Sequence, residues 1–352
     1  MTSPAAPALR ALAWEMGAYV VGIAVAGDGR LFAAALGDGT VRLISAEAAE
    51  PRTVQAHDGA CLCLAADSEG LAFLTGGDDG KLVRIDETGA TEVLAEMKGK
   101  WIEHVAAHAG AGYRAYAAGK DAYVLDRKRK GAGNTEPRRL THGSTVGGLA
   151  INDKGRRLAV SHYNGVSLWW LASQDSQPQS LEWKGSNLAV GFSPDGDYVI
   201  TALQENALHG WRLSDKQHMR MTGYGAKVRS MSFSRKGHFL ATGGSDSVIC
   251  WIMSGGGPMG KAPVEFGGGV TGPGGGSPVT AVRCNPKHDL IAAGFANGAV
   301  ILGYPGASRT ATMLPPGTAP ISALCWNGTG DRLLVGDEAG RLVLGDLQGL
   351  PG

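Results

Sequence analysis

Along residues 228–251, apolar and polar positions alternate and then break in a way that predicts three short strands. Val228, Ser230 and Ser232, set against Met231 and Phe233, suit a half-buried strand whose side chains point to alternate faces. Lys236-Gly237 ends that run, and Gly243-Gly244-Ser245-Asp246 makes a tight turn before a third run, Val248-Ile249-Cys250-Trp251. A single triplet of this kind cannot bury its own apolar faces, and the rest of the chain repeats it.

Glycines equivalent to Gly237 stand at Gly29, Gly70, Gly155, Gly196 and Gly330, and the pairs 29/70, 155/196 and 196/237 are each 41 residues apart. The gaps from Gly70 to Gly155 and from Gly237 to Gly330, 85 and 93 residues, each leave room for a further unit, read at residues 101–125 and 279–302. Eight units result. Short strands recurring with a period of roughly 40–45 residues predict a β-propeller. The expected architecture is all-β: an eight-bladed β-propeller of four-stranded antiparallel blades, forming one domain over residues 1–352, with the Pro- and Ala-rich residues 1–7 loose. A fourth strand follows each of the first seven triplets, for example at residues 53–56, 92–96, 179–183 and 310–314, but almost nothing follows Leu347. Residues 9–15, with Leu9, Ala11 and Ala13 alternating against Arg10, Leu12 and Trp14, are therefore expected to supply the last strand, close the ring and bring Leu12 and Trp14 into apolar contact.

The motif residues also resemble the WD40 repeat: Gly243-Gly244-Ser245-Asp246 before a strand ending in Trp251, the turn Ser193-Pro194-Asp195-Gly196, and His142 four residues before Val146. The likeness runs from about Met16 to Leu347 with degenerate motifs. Only Trp169, Trp211 and Trp251 end third strands, and His57 and His142 follow Ala56 and Thr141, not Gly. The resemblance implies a hydrogen-bonded chain inside a blade, running from a His through a Ser or Thr and an Asp to a Trp. Unit four offers His142, Ser161 and Trp169, with Asn164 near the Asp place. Unit six offers Thr242, Asp246 and Trp251, with Tyr224 where His would stand; unit two offers His57, Thr75 and Asp79, with Ile85 for Trp.

Charge and composition narrow the function. With 33 basic and 32 acidic residues, no net field recruits nucleic acid or an anionic membrane. The N-terminus lacks a charged segment followed by an apolar one, and no apolar run approaches a membrane span, so a cytoplasmic chain is expected. The five cysteines are an odd number, and strand alternation sends Cys61 and Cys63 to opposite faces, which favours small buried hydrophobes over a metal site. Read as a nucleophilic pair, His142 and Ser161 lack an orienting carboxylate and an oxyanion site. Glycine-rich segments without a following helix read as connections, not phosphate loops. The basic connection Arg127-Lys128-Arg129-Lys130, joined by Arg138 and Arg139, has no interleaved aromatic; with the glycine-rich loops around residues 264–266 it is expected to be the most mobile part.

The function expected is a non-catalytic protein–protein interaction scaffold, with no cofactor and no metal, monomeric, holding a protein or peptide on one face of the ring. The candidates, in loops that lead into first strands, are Tyr19, Trp101, Lys184, Asn187, Tyr224 and Lys227. Binding of nucleic acid or another anionic surface through residues 127–139 is the alternative. A propeller enzyme is a third reading, against which stands the lack of any catalytic set.

Overall fold

The computed structural model describes residues 10–27, 29–45, 49–127, 136–269 and 276–347. Within them every regular element is a β-strand. Short runs of Val, Ile, Leu and Ala suit a pleated surface packed on both sides. The turns between them need left-handed backbone, and Gly29, Gly70, Gly155, Gly196, Gly237 and Gly330 all take φ between 62° and 88°. At Gly330 a Cβ would meet Asn285 Oδ1 at 2.4 Å, and Asn285 Nδ2 itself donates to Gly330 O at 2.7 Å, so the glycine also allows one unit to clasp the next.

Each unit is an antiparallel meander in chain order. The first sheet is Val20–Ala26, Leu31–Leu36, Thr40–Ser45 and Arg52–Gln55, and the second is Cys61–Ala66, Ala72–Gly77, Lys81–Asp86 and Thr91–Glu96. The third runs from His104–His108 through Tyr113–Ala118 and Asp121–Asp126 to Arg138–Thr141. The expectation of eight blades is corrected at the next step: the strands form seven sheets, and so seven blades, six of them four-stranded and one six-stranded. Units four and five share the wide sheet, because Arg157–Trp170 and Gln179–Phe192 are unbroken runs of 14 residues. Asn164 at φ 71° and Gly165 at φ 143° bend the first run without ending it. The second pairs with Arg157–Trp170 through residues 179–186 and with Tyr198–Leu203 through residues 187–192. The segment between the two repeats is too short to leave the sheet, which a regular 41-residue spacing does not reveal. The halves of this sheet pack through Val166, Leu168, Leu181, Val199 and Trp211.

Val264–Phe266 is the outer strand beside Val248–Ile252, and buried Phe266 anchors it. The N-terminal strand Arg10–Glu15 pairs antiparallel with Arg341–Asp346, from Arg10↔Asp346 to Glu15↔Arg341, as the missing final strand requires. Leu9, residues 1–7 and the connections 128–135 and 270–275 lie outside the described residues. Trp14 is buried with Val20, Phe32 and Leu342, and its Nε1 donates to Ala49 O at 2.9 Å. Leu12 does not share that burial: on the outermost strand it is exposed beside Arg332 and Leu344.

Apolar clusters join each sheet to its neighbours around the whole ring. One of them unites the first and last sheets through Phe32, Leu36, Leu334 and Leu344. The innermost strands meet around a central channel, where Val21, Leu62, His104, Val282 and Leu324 line one space of about 440 Å³. The chain therefore reaches each innermost strand from one end of the ring, here named the upper face.

Candidate functional site

Behind the upper face, polar side chains form three chains of hydrogen bonds. In unit two, His57 Nδ1 lies 3.0 Å from Asp79 Oδ1 and its Nε2 3.3 Å from Thr75 Oγ1, while Thr75 donates to Cys63 O at 2.9 Å. Burial pushes the Asp79 carboxyl up, but the amides of Lys81 and Asp58 and the His57 ring outweigh it and hold the carboxyl below its usual range. In unit six, Tyr224 occupies the place of His. Trp251 Nε1 donates to Tyr224 Oη at 2.6 Å, Tyr224 meets Thr242 Oγ1 at 2.8 Å, and Thr242 donates to Ile249 O at 3.1 Å. Asp246 stays outside this chain and is exposed.

Unit four departs from the pattern. Trp169 Nε1 donates to His142 Nε2 at 3.1 Å, and His142 Nδ1 lies 3.3 Å from Lys120 O. Burial, with His162 alongside, pushes the His142 imidazole down to about 4. Among the described residues Ser161 Oγ is buried without a partner, and Asn164 accepts instead from Gly185 N at 3.3 Å. Both ring nitrogens of His142 are thus engaged with Trp169 and Lys120 and not with Ser161.

The six partner candidates separate into two groups. Trp101 is 58% exposed, and Tyr19, Lys184 and Lys227 are also exposed. Tyr224 and Asn187 are not available to a partner. Tyr224 is buried in the network above, and burial pushes its hydroxyl up to about 12. Asn187 is 2% exposed: Thr201 Oγ1 donates to its Oδ1 at 2.9 Å, and its Nδ2 donates to His162 O and Gly185 O. A polar residue leading into an innermost strand looks alike in sequence whether it faces solvent or fastens the loop. Tyr163 and Leu188 are also open, at 52% and 41% exposure, and alternation does not mark them because each sits inside a strand run. Tyr19, Trp101, Tyr163 and Leu188 all lie on the upper face, in the segments that lead into innermost strands or turn from second to third strands.

Two further clusters escaped the sequence. In the wide sheet, Trp183 stacks on His209 with ring centroids 3.7 Å apart, and His209 Nε2 lies 3.1 Å from His218 Nδ1. Burial, reinforced by His218 and Arg220, pushes His209 down to about 3. Between units two and three, Arg114 grips Asp67 with Nε–Oδ1 at 2.6 Å and Nη2–Oδ2 at 2.7 Å, and Arg84 Nε reaches Asp67 Oδ2 at 2.8 Å. No alternation in Tyr113–Ala118 marks Arg114 as inward. Among the described residues no group of three or more His, Cys, Asp or Glu is placed to hold a metal ion.

The arginines of the basic connection are engaged where they are described. Arg127 pairs with Glu69 at 3.0 Å, Arg139 with buried Asp121 at 2.8 Å, and Arg138 donates to the carbonyls of Trp170, Ser173 and Ser176. Lys128, Arg129 and Lys130 lie outside the described residues. Among the described residues no helix is long and apolar enough to cross a membrane.

Comparison with known proteins fits this geometry. The family described as WD domain, G-beta repeat matches residues 49–84 and 215–251, the stretches that hold the His57 and Tyr224 networks. Autophagy-related protein 16 of Arabidopsis thaliana is 23% identical over 295 residues, 82% of this chain and 56% of that protein; the chain spans about half the length of this curated relative. A crystal structure of the computationally designed protein Ika8 has a TM-score of 0.71 at 16% identity, over 94% of this chain and 97% of that one, a likeness of fold alone. The chain folds as a β-propeller and carries WD40 repeats at residues 49–84 and 215–251.

Proposed function

We propose that the chain is a non-catalytic scaffold that holds a protein or peptide partner on the upper face of the ring. The observation that carries this reading is the gathering of Tyr19, Trp101, Tyr163 and Leu188 on that face, exposed and backed by rigid strands. Aromatic side chains bury much area and lose little rotamer freedom on binding, so they make good anchors. The WD40 repeats and the Arabidopsis relative are in keeping with a role in protein interaction. The engagement of Arg127, Arg138 and Arg139 within the fold speaks against the anionic-surface alternative.

The test is co-purification of interactors from the native host, alongside thermal unfolding. Trp101→Ala with Tyr163→Ala is expected to remove the partners captured by the wild type and to leave the melting temperature within a few degrees. Val93→Asp, an exposed position on an outer strand, is expected to change neither. Loss of partners on neutralising residues 127–130, with the Trp101/Tyr163 variant still active in capture, would move the site to the basic connection.

A further inference from the structure

A cavity of about 490 Å³ opens on the upper face between unit six, the unit of residues 279–302, the last unit and the first, lined in part by Tyr19, Lys227, Arg229, Ser230, Ser322 and Glu338. Its volume is in the range of ligand pockets. Lys227 and Arg229 flank buried Val228 in the segment just before Met231–Phe233; both cations line the cavity while Val228 anchors the segment in the core. Both are exposed, and among the described residues neither enters an ion pair or a side-chain hydrogen bond. Elsewhere in the molecule Arg84, Arg114 and Arg139 each have a protein carboxylate. Arg229 has none, although its charge reaches the Tyr19 hydroxyl, which also feels Glu338.

We infer that this cavity is a carboxylate site, and that it receives an Asp or Glu side chain of a peptide segment lying across the mouth of the ring. The inference rests on the scaffold reading and adds the chemistry of the partner. Two cations against Glu338 leave one positive charge, which a single carboxylate neutralises; a denser anion such as a phosphoryl group would meet Glu338 as a repulsive neighbour. The Arg229 guanidinium suits bidentate binding of a carboxylate, and the Tyr19 ring offers apolar cover beside it. Room for the rest of the peptide follows from continuity. The cavity shares Ser230 and Ser322 with the central channel, and the channel shares Glu103 and His104 with a second upper-face hollow lined by Tyr163 and Leu188. An extended segment can thus set a carboxylate at Arg229 and apolar side chains against Tyr163 and Leu188.

The experiment is selection of a phage-displayed random dodecapeptide library on the full chain, followed by fluorescence anisotropy with the selected peptides. One recurrent Asp or Glu is expected in the peptides selected by the wild type. Replacing it by Asn or Gln, or using Lys227→Glu with Arg229→Glu, is expected to weaken binding roughly tenfold or more, whereas Glu338→Gln tightens it. All three side chains are exposed, and an unchanged melting temperature shows that the variants remain folded. Selected peptides that lack an acid, or whose amide versions bind as well as the originals, overturn the carboxylate site. If those peptides still lose affinity in the Trp101→Ala/Tyr163→Ala variant, the scaffold reading stands without it. If no selected peptide responds to any upper-face variant, both fail.

Discussion

Replacing Arg114 by Met should cost the fold more than any other single loss of charge described above. Arg114 is 2% exposed, the Asp67 side chain is fully buried, and two short bonds join them across the boundary between the second and third sheets. Methionine keeps much of the apolar stem and removes the guanidinium, which leaves Asp67 facing a low-dielectric interior with Arg84 as its remaining arginine partner. Removing one partner of a buried pair costs about 3–5 kcal/mol, and the surviving Arg84 bond places this case near the lower end, at about 3 kcal/mol. Replacing both partners, Asp67→Leu with Arg114→Met, removes the stranded charge as well, so the double variant should recover part of the loss, with a coupling energy on the order of 2 kcal/mol. The exposed Arg127–Glu69 pair at 3.0 Å serves as the control, and Arg127→Ala should cost no more than about 1 kcal/mol. Urea denaturation followed by tryptophan fluorescence gives these differences, compared at one denaturant concentration to avoid long extrapolation. A cost for Arg114→Met below about 1 kcal/mol, or one equal to that of Arg127→Ala, would refute the argument that burial decides the worth of this pair.

Acid should destabilise the chain before its carboxylates titrate. His142 and His209 are held at about 4 and about 3 in the folded state, so as pH falls below the unfolded value of about 6.5 the unfolded chain takes up their protons first. Stability from these two rings is complete above that pH and declines from there to about pH 4 for His142 and about pH 3 for His209. The melting temperature should fall over that window, and less steeply in a His142→Gln/His209→Gln variant; equal slopes would refute the assignment. The five thiols should resist an aromatic disulfide reagent in the folded chain and react fully in denaturant. Burial pushes Cys63 and Cys250 up to about 12 and Cys61 and Cys284 up to about 11, and Cys325 is raised too. A thiol that reacts quickly without denaturant would show that its strand opens locally.

The sequence by itself determined the repeat, the strand-and-turn grammar and the closure of the ring. These follow from local chemistry, since glycine at positive φ fixes each turn and alternation fixes each strand's faces. Arg10–Glu15, with its alternation of Ala11 and Ala13 against Leu12 and Trp14, is the strand that pairs with Arg341–Asp346 and completes the last sheet. Tertiary structure alone decided how the sheets are divided, because whether one strand runs on into the next unit depends on backbone hydrogen bonds formed between residues 179–192 and partners on both sides. It also decided which candidates face solvent. Trp101 and Asn187 both stand in segments that lead into innermost strands, yet one is open and the other is tied to His162, Gly185 and Thr201. The same holds for Arg114 and Arg229, two arginines with nothing in their neighbours to tell them apart. The first meets a carboxylate brought from the neighbouring unit and the second does not, and that meeting exists only once the sheets have packed.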